Sequence, residues 1–202
     1  MEFPDNAKIV TTASTASTEA DMKQLLDNTN LPTTASFASK TVDENTHTIR
    51  TIGIYPSESH TDTGVPPLSV GQDGTAATAI TKSTISTYYA GYLRRPDQRW
   101  PEKPFVLWAD LHMKREHLHF LPHAAKALID AVVRDEPGVL CYLWLQDLSD
   151  KSHLTVFECY VNKDACKAHE ATKAYSRFAE AVGPYAEHLD INYAEWRDGM
   201  SV

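Results

Sequence analysis

Three cysteines, eight glycines and no surplus of positive charge set the first limits on this 202-residue chain. Cys141, Cys159 and Cys166 lack close pair spacing, so they form neither a disulfide framework nor a zinc knuckle, and the sequence suits a reducing compartment. The few glycines build no phosphate-cradling loop and no dinucleotide fingerprint, so no nucleotide or flavin cofactor is expected. With 19 Lys and Arg against 27 Asp and Glu, the net charge of -8 offers nothing to neutralise a phosphate backbone, and nucleic acid is not an expected partner. The longest mainly apolar run, Gly138 to Leu145, is far too short to cross a bilayer. The opening MEFPDNAKIV has no basic region followed by an apolar one. The expectation is a soluble, cytoplasmic protein with no membrane partner.

What is present is unevenly placed. A hydrophobic content of 42% belongs to a folded chain rather than a disordered one. All three cysteines and three of the four tryptophans (Trp108, Trp144, Trp196) lie in the second half. The first half is dominated by Thr, Ser and Ala, so the chemistry is expected in the second.

From Phe105 the periodicities change in order. Phe105 to Met113 alternates as a strand, with Val106, Trp108, Asp110 and His112 on one face. Leu118, Leu121, Ala125, Leu128 and Val132 make a helical stripe in which Pro122 either starts the helix or kinks it, and Glu136-Pro137-Gly138 stops it. Val139 to Gln146 and Leu154 to Val161 read as a hairpin around Asp147 to Ser152. Asn162 caps a helix expected to run to Val182 with Ala165, Ala168, Thr172, Tyr175, Ala179 and Val182 inward, before Gly183-Pro184. Leu189 to Trp196 alternates as a last strand. The order is β-α-β-β-α-β, the ferredoxin-like class of α+β fold.

Within this frame, Glu136-Pro137-Gly138-Val139, then Phe157-Glu158-Cys159-Tyr160, then Ala165, Ala168-His169, Thr172, Tyr175 and Phe178 resemble the antibiotic biosynthesis monooxygenase (ABM) domain. The resemblance covers residues 105 to 198. It implies a dimeric α+β barrel in which two such sheets pair, a pocket between helix and sheet, and oxygenase chemistry without metal or prosthetic group, often in secondary metabolism. Many members carry a second histidine five residues after the first, where this chain has Ala174.

The first half reads as a degenerate second copy. Ala7 to Thr12 suits a strand, Thr18 to Asp27 a short helix, and Ala35 to Val42 with Thr46 to Tyr55 a hairpin. At an offset of about 106 residues, Asn45 to Ile49 falls on Lys151 to Thr155 and Thr84 to Ala90 on Asp190 to Trp196. Pro56 to Thr75 is too rich in Gly and Pro for the second helix. The expected organisation is therefore a degenerate ferredoxin-like half at 1–93, a proline-rich linker at 94–104 and the ABM-like domain at 105–202, a pseudo-dimer within one chain. The alternative is a Ser/Thr-rich extension on a domain that forms homodimers.

Among candidate site residues, His169 should border the space between helix and sheet, as a base toward a substrate or as a packing histidine. Tyr160 either meets a substrate or fills the core. Glu158 shares its strand face and needs a hydrogen-bond partner or a proton, because a bare buried carboxylate is costly. Trp108, His112, Trp144, Tyr175 and Asn192 are further candidates for the wall of a substrate site. His119 and His123 stand four apart as metal ligands would, but Pro122 between them and the missing Glu favour a solvated helix edge, and no metal is expected. Combined with the resemblance, these residues imply a monooxygenase that oxidises a small aromatic or polyketide-type molecule with dioxygen, His169 acting as base. The alternative is a non-catalytic barrel that binds a small molecule or a partner.

Overall fold

The computed structural model describes residues 8–16, 35–42, 47–55, 80–92 and 100–196. They form strands β1 (Lys8–Ala16), β2 (Ala35–Val42), β3 (His47–Tyr55), β4 (Ile80–Tyr92) and β5 (Phe105–Met113), helix α1 (Leu121–Asp135), strands β6 (Val139–Asp147) and β7 (His153–Tyr160), helices α2 (Lys163–Glu170) and α3 (Lys173–Val182), and strand β8 (Ala186–Trp196). The expected helix at 18–27, the turn at 43–45, the segment 56–75 and residues 94–99 of the expected linker lie outside the described residues. Among the described residues, no helix is long and apolar enough to cross a membrane.

The chain divides into two compact units, with the boundary inside β4 between Ser86 and Thr87. In the earlier unit, β3 pairs antiparallel with β1, from Lys8 opposite Tyr55 to Ala16 opposite His47, and with β2. The first part of β4 lies beside β1, where Thr11 Oγ1 reaches the carbonyl of Thr84. Ile9 and Ile52 are fully buried there.

The later unit is a five-stranded antiparallel sheet ordered β8-β5-β7-β6-β4 with its helices on one face. Alternation in β5 sends Leu107, Ala109, Leu111 and Met113 to the helix face. β7 is buried along its whole length, as a central strand with both faces covered should be. On the helix face it contributes Leu154, Val156 and Tyr160. Pro122 settles in the first turn of α1, where a missing N–H costs nothing, and a 3-10 turn over Arg115–Phe120 leads into it. The buried stripe of α1 is Leu121, Ala125, Leu128, Ile129 and Val132.

One expected helix is two. Asn162 Oδ1 accepts from the Ala165 backbone N–H at 2.9 Å and caps α2 as anticipated, but that helix ends at Glu170. Thr172 turns extended and its Oγ1 accepts from Tyr175 N–H at 3.1 Å, starting α3 afresh. The break shifts the phase of the stripe, so Ala168 and Ala179 are exposed while Cys166, His169, Phe178 and Val182 face the core.

Two glycines are required by their surroundings. A Cβ on Gly138 would stand 2.9 Å from the Ala165 Cβ, so the Glu136-Pro137-Gly138 turn can press against the first turn of α2 only because that position is bare. Gly91, at φ 103°, brings β4 against β6 so closely that a Cβ would stand 1.9 Å from the Tyr142 carbonyl oxygen.

Candidate active site

The helix side of the sheet gathers a buried polar cluster. A bulge near Leu140 shifts the register of β6 by one residue. Val139 faces the helices before it, and Tyr142 and Trp144 do so after it. Tyr142 is thereby set directly opposite Glu158 of β7. Tyr160, two residues along β7 on the same face, donates its hydroxyl to Glu158 Oε2. Burial raises the pKa of the Glu158 carboxyl, while the charge of His169 and the Tyr160 hydrogen bond pull it back. Burial and the Glu158 charge push the Tyr160 hydroxyl well above its ordinary pKa, so it stays a proton donor.

Above this carboxylate sits His169, in the last turn of α2 and 2% exposed. Its Nδ1 lies 2.7 Å from Glu136 Oε2. An ionised carboxylate only accepts, so the proton is on Nδ1 and the Nε2 lone pair is left open in the neutral ring. Nε2 is buried and has no hydrogen-bond partner among the described residues. Three tyrosine rings surround the imidazole: Tyr175 at 5.2 Å, Tyr142 at 5.4 Å and Tyr160 at 5.9 Å between centroids. Burial alone would lower the pKa of His169, but the Glu136 hydrogen bond and the charges of Glu158, Glu136 and Glu170 outweigh it and leave the pKa raised. Outside this ring, Trp144 meets Phe178 edge-on at 5.4 Å, and Tyr193 of β8 donates to Glu170 Oε1 at 3.0 Å, tying the end of α2 to the sheet.

Of the residues singled out by sequence, His169, Tyr160, Glu158, Tyr175 and Trp144 come together on the helix side. Trp108, His112 and Asn192 do not, because their parity in β5 and β8 sends them to the opposite face. There Trp108 packs on Phe157 at 4.7 Å and pairs in register with Asn192, and His112 stacks on His153 at 4.3 Å. Burial and the neighbouring His153 charge lower the His112 pKa, against the pull of Asp110. His119 and His123 are exposed. The three cysteines are buried and free.

Two members of the cluster are invisible in the sequence pattern. Tyr142 depends on the bulge. Glu136 reads as a helix stop, although a carboxylate just beyond a helix C-terminus opposes the macrodipole, and that local conflict is the signal that it serves another partner.

Fold and cluster together define an α+β unit of ferredoxin-like topology with a buried carboxylate-histidine pair between helices and sheet. A model of the antibiotic biosynthesis monooxygenase family matches residues 104–181, so this segment is similar to that family's domain. No curated protein matches the chain significantly. Among solved structures, a candidate monooxygenase from Lactobacillus acidophilus aligns over 96% of this chain and 99% of its own at 13% identity and TM-score 0.68. An anthrone oxidase-like protein aligns over 96% and 92% at 12% identity and TM-score 0.63. A regulator of staphylococcal pathogenesis aligns over 93% and 98% at 14% identity and TM-score 0.56. At such identities the three share its fold.

Proposed function

We propose that the later unit is a cofactor-independent monooxygenase that oxidises a small aromatic or polyketide-type molecule with dioxygen. The observation that carries this reading is His169: a buried imidazole whose Nδ1 is held by Glu136 and whose free Nε2 is enclosed by aromatic rings. A carboxylate on one ring nitrogen fixes the tautomer and strengthens the other nitrogen as a base. In the proposed reaction, Nε2 takes a proton from an activated C–H or phenolic O–H, and the carbanion passes one electron to O2. The substrate radical and superoxide then join in a new C–O bond, and loss of water leaves a carbonyl. One O2 is consumed and one H2O released for each CH2 converted to C=O. The protein supplies the base, a dry environment and orientation.

Oxygen uptake with anthrone- and hydroquinone-type substrates tests this. His169→Ala should lower the rate by roughly 10²–10⁴-fold, and equal rates in the two proteins would refute the role of the residue. A second reading, a non-catalytic barrel that binds a small molecule or partner, is favoured by Ala174, which stands where many members of the family have their second histidine. Ligand binding without oxygen uptake by either protein would establish it.

We also infer that 1–93 is a degenerate copy of the ABM-like domain at 105–202, joined to it by 94–104. The strand orders support this, being β4-β1-β3-β2 in one unit and β8-β5-β7-β6 in the other. So does the spacing: β7 begins 106 residues after β3, from His47 to His153, and β8 begins 106 after β4, from Ile80 to Ala186.

A further inference from the structure

On the outer side of the helices, α1 and α3 part to leave a groove of about 480 Å3. Its walls are small and apolar: Ala124, Ala127 and Ala131 of α1 face Ala174, Ala181 and the Phe178 ring of α3. Glu136 lies at one end with its side chain 11% exposed, so the carboxylate that grips His169 also borders the groove.

The charges around this groove are unbalanced. Arg134 is held by Asp135, with both guanidinium contacts at 2.6 and 2.9 Å, and Glu136 is held by His169. Lys173 and Arg177 line the groove and make no ion pair among the described residues. They stand four residues apart in the first turns of α3, a spacing at which like charges repel. Lys173 also occupies the positive end of the helix, whose first turn contains no acidic residue, and Arg177 follows one turn on. Two cations and a helix N-terminus therefore meet beside an apolar slot of a size that suits a small ring system. The two carboxylates at the groove, Asp135 and Glu136, are engaged by Arg134 and His169, which leaves Lys173 and Arg177 as its unneutralised charges among the described residues.

The geometry points to the groove between α1 and α3 as a binding site for an anionic aromatic molecule, its carboxylate or phenolate on Lys173 and Arg177 and its ring against Phe178 and the alanines. This rests on the oxygenase reading only in making the ligand a substrate, since Glu136 then links the bound anion to His169. Recognition itself does not depend on any oxidation.

The test is a titration of the full-length protein with 2-naphthoate and with its uncharged amide, 2-naphthamide, in the absence of turnover. Naphthoate should bind more tightly than the amide, and added salt should weaken the acid alone. The double substitution Lys173→Gln/Arg177→Gln, at exposed positions that leave the core intact, should weaken naphthoate about tenfold and leave the amide unchanged. Ala131→Phe, which fills the slot, should weaken both. Equal affinity for acid and amide, or naphthoate binding indifferent to the double substitution or to Ala131→Phe, would overturn the assignment. Naphthoate binding that follows this pattern in a protein with no oxygen uptake would leave the groove standing and refute only the oxygenase reading.

Discussion

The pair Glu136 and His169 concentrates most of what can be tested at the level of single residues. Because burial works to lower the His169 pKa and Glu136 works to raise it, Glu136→Gln should move that pKa down, and an NMR titration of the imidazole reads it directly. If His169 is a base, its active form appears as pH rises through its pKa. The ascending limb of the rate profile should therefore shift to lower pH in Glu136→Gln while the plateau falls, because a base of lower pKa is weaker. An unchanged titration would mean that Glu136 does not control the ring. His169 itself was singled out in the sequence as bordering the space between helix and sheet next to Ala168, although it is His169 and not Ala168 that turns inward. Glu136 was not, because its partner lies 33 residues away and only its conflict with the helix dipole hints at one.

Helix and strand periodicity recovered the order of elements in the later unit, and the two breaks in period account for what it missed. A single stripe from Asn162 to Val182 cannot reveal that Thr172 restarts the helix, because a capping threonine and an inward-facing threonine look alike in a sequence. Thr172→Ala should cost about 1 kcal/mol in urea denaturation and should loosen Tyr175, whose N–H it caps. The bulge in β6 is likewise silent in a run of apolar residues, yet it decides that Tyr142 and Trp144, rather than Cys141 and Leu143, face the helices with His169. The glycine turn is a third element-level constraint. Gly138→Val should push α2 off the Glu136 turn, given the 2.9 Å already required at a Cβ. Loss of His169 pKa control without loss of fold is the expected reading, and a His169 pKa that remains raised would show that the close approach is dispensable.

For the molecule as a whole, His153 and His169 make stability fall as pH rises, while His112, with its lowered pKa, works the other way. His153 is raised by its hydrogen bonds to Asp110 and Asp147 against the effect of burial, and His169 is raised as described. A histidine with a raised folded pKa contributes stability that is complete below its unfolded value near 6.5 and is lost as pH climbs through the folded pKa. The urea midpoint should therefore be higher at pH 6 than at pH 8, and Glu136→Gln should reduce that difference; a midpoint that rises with pH over this interval would contradict the assignment. The proposed duplication has a measurement of its own. A pseudo-dimer within one chain should sediment as a monomer of 22.5 kDa, whereas an obligate dimer would favour a domain that pairs with a second chain.

The edge-on contact between Trp144 and Phe178 gives the protein an optical reporter. Phe178 forms part of the groove wall, and Trp144 lies beneath it in the core, 6.1 Å from Tyr142. Indole emission responds to the orientation and polarity of its immediate neighbours, so any displacement of Phe178 changes the fluorescence of Trp144. Trp108, on the other face of the sheet, supplies an internal reference that such a displacement does not touch. Trp144→Phe should thus silence the emission change on adding an aromatic ligand while leaving the Trp108 signal in place.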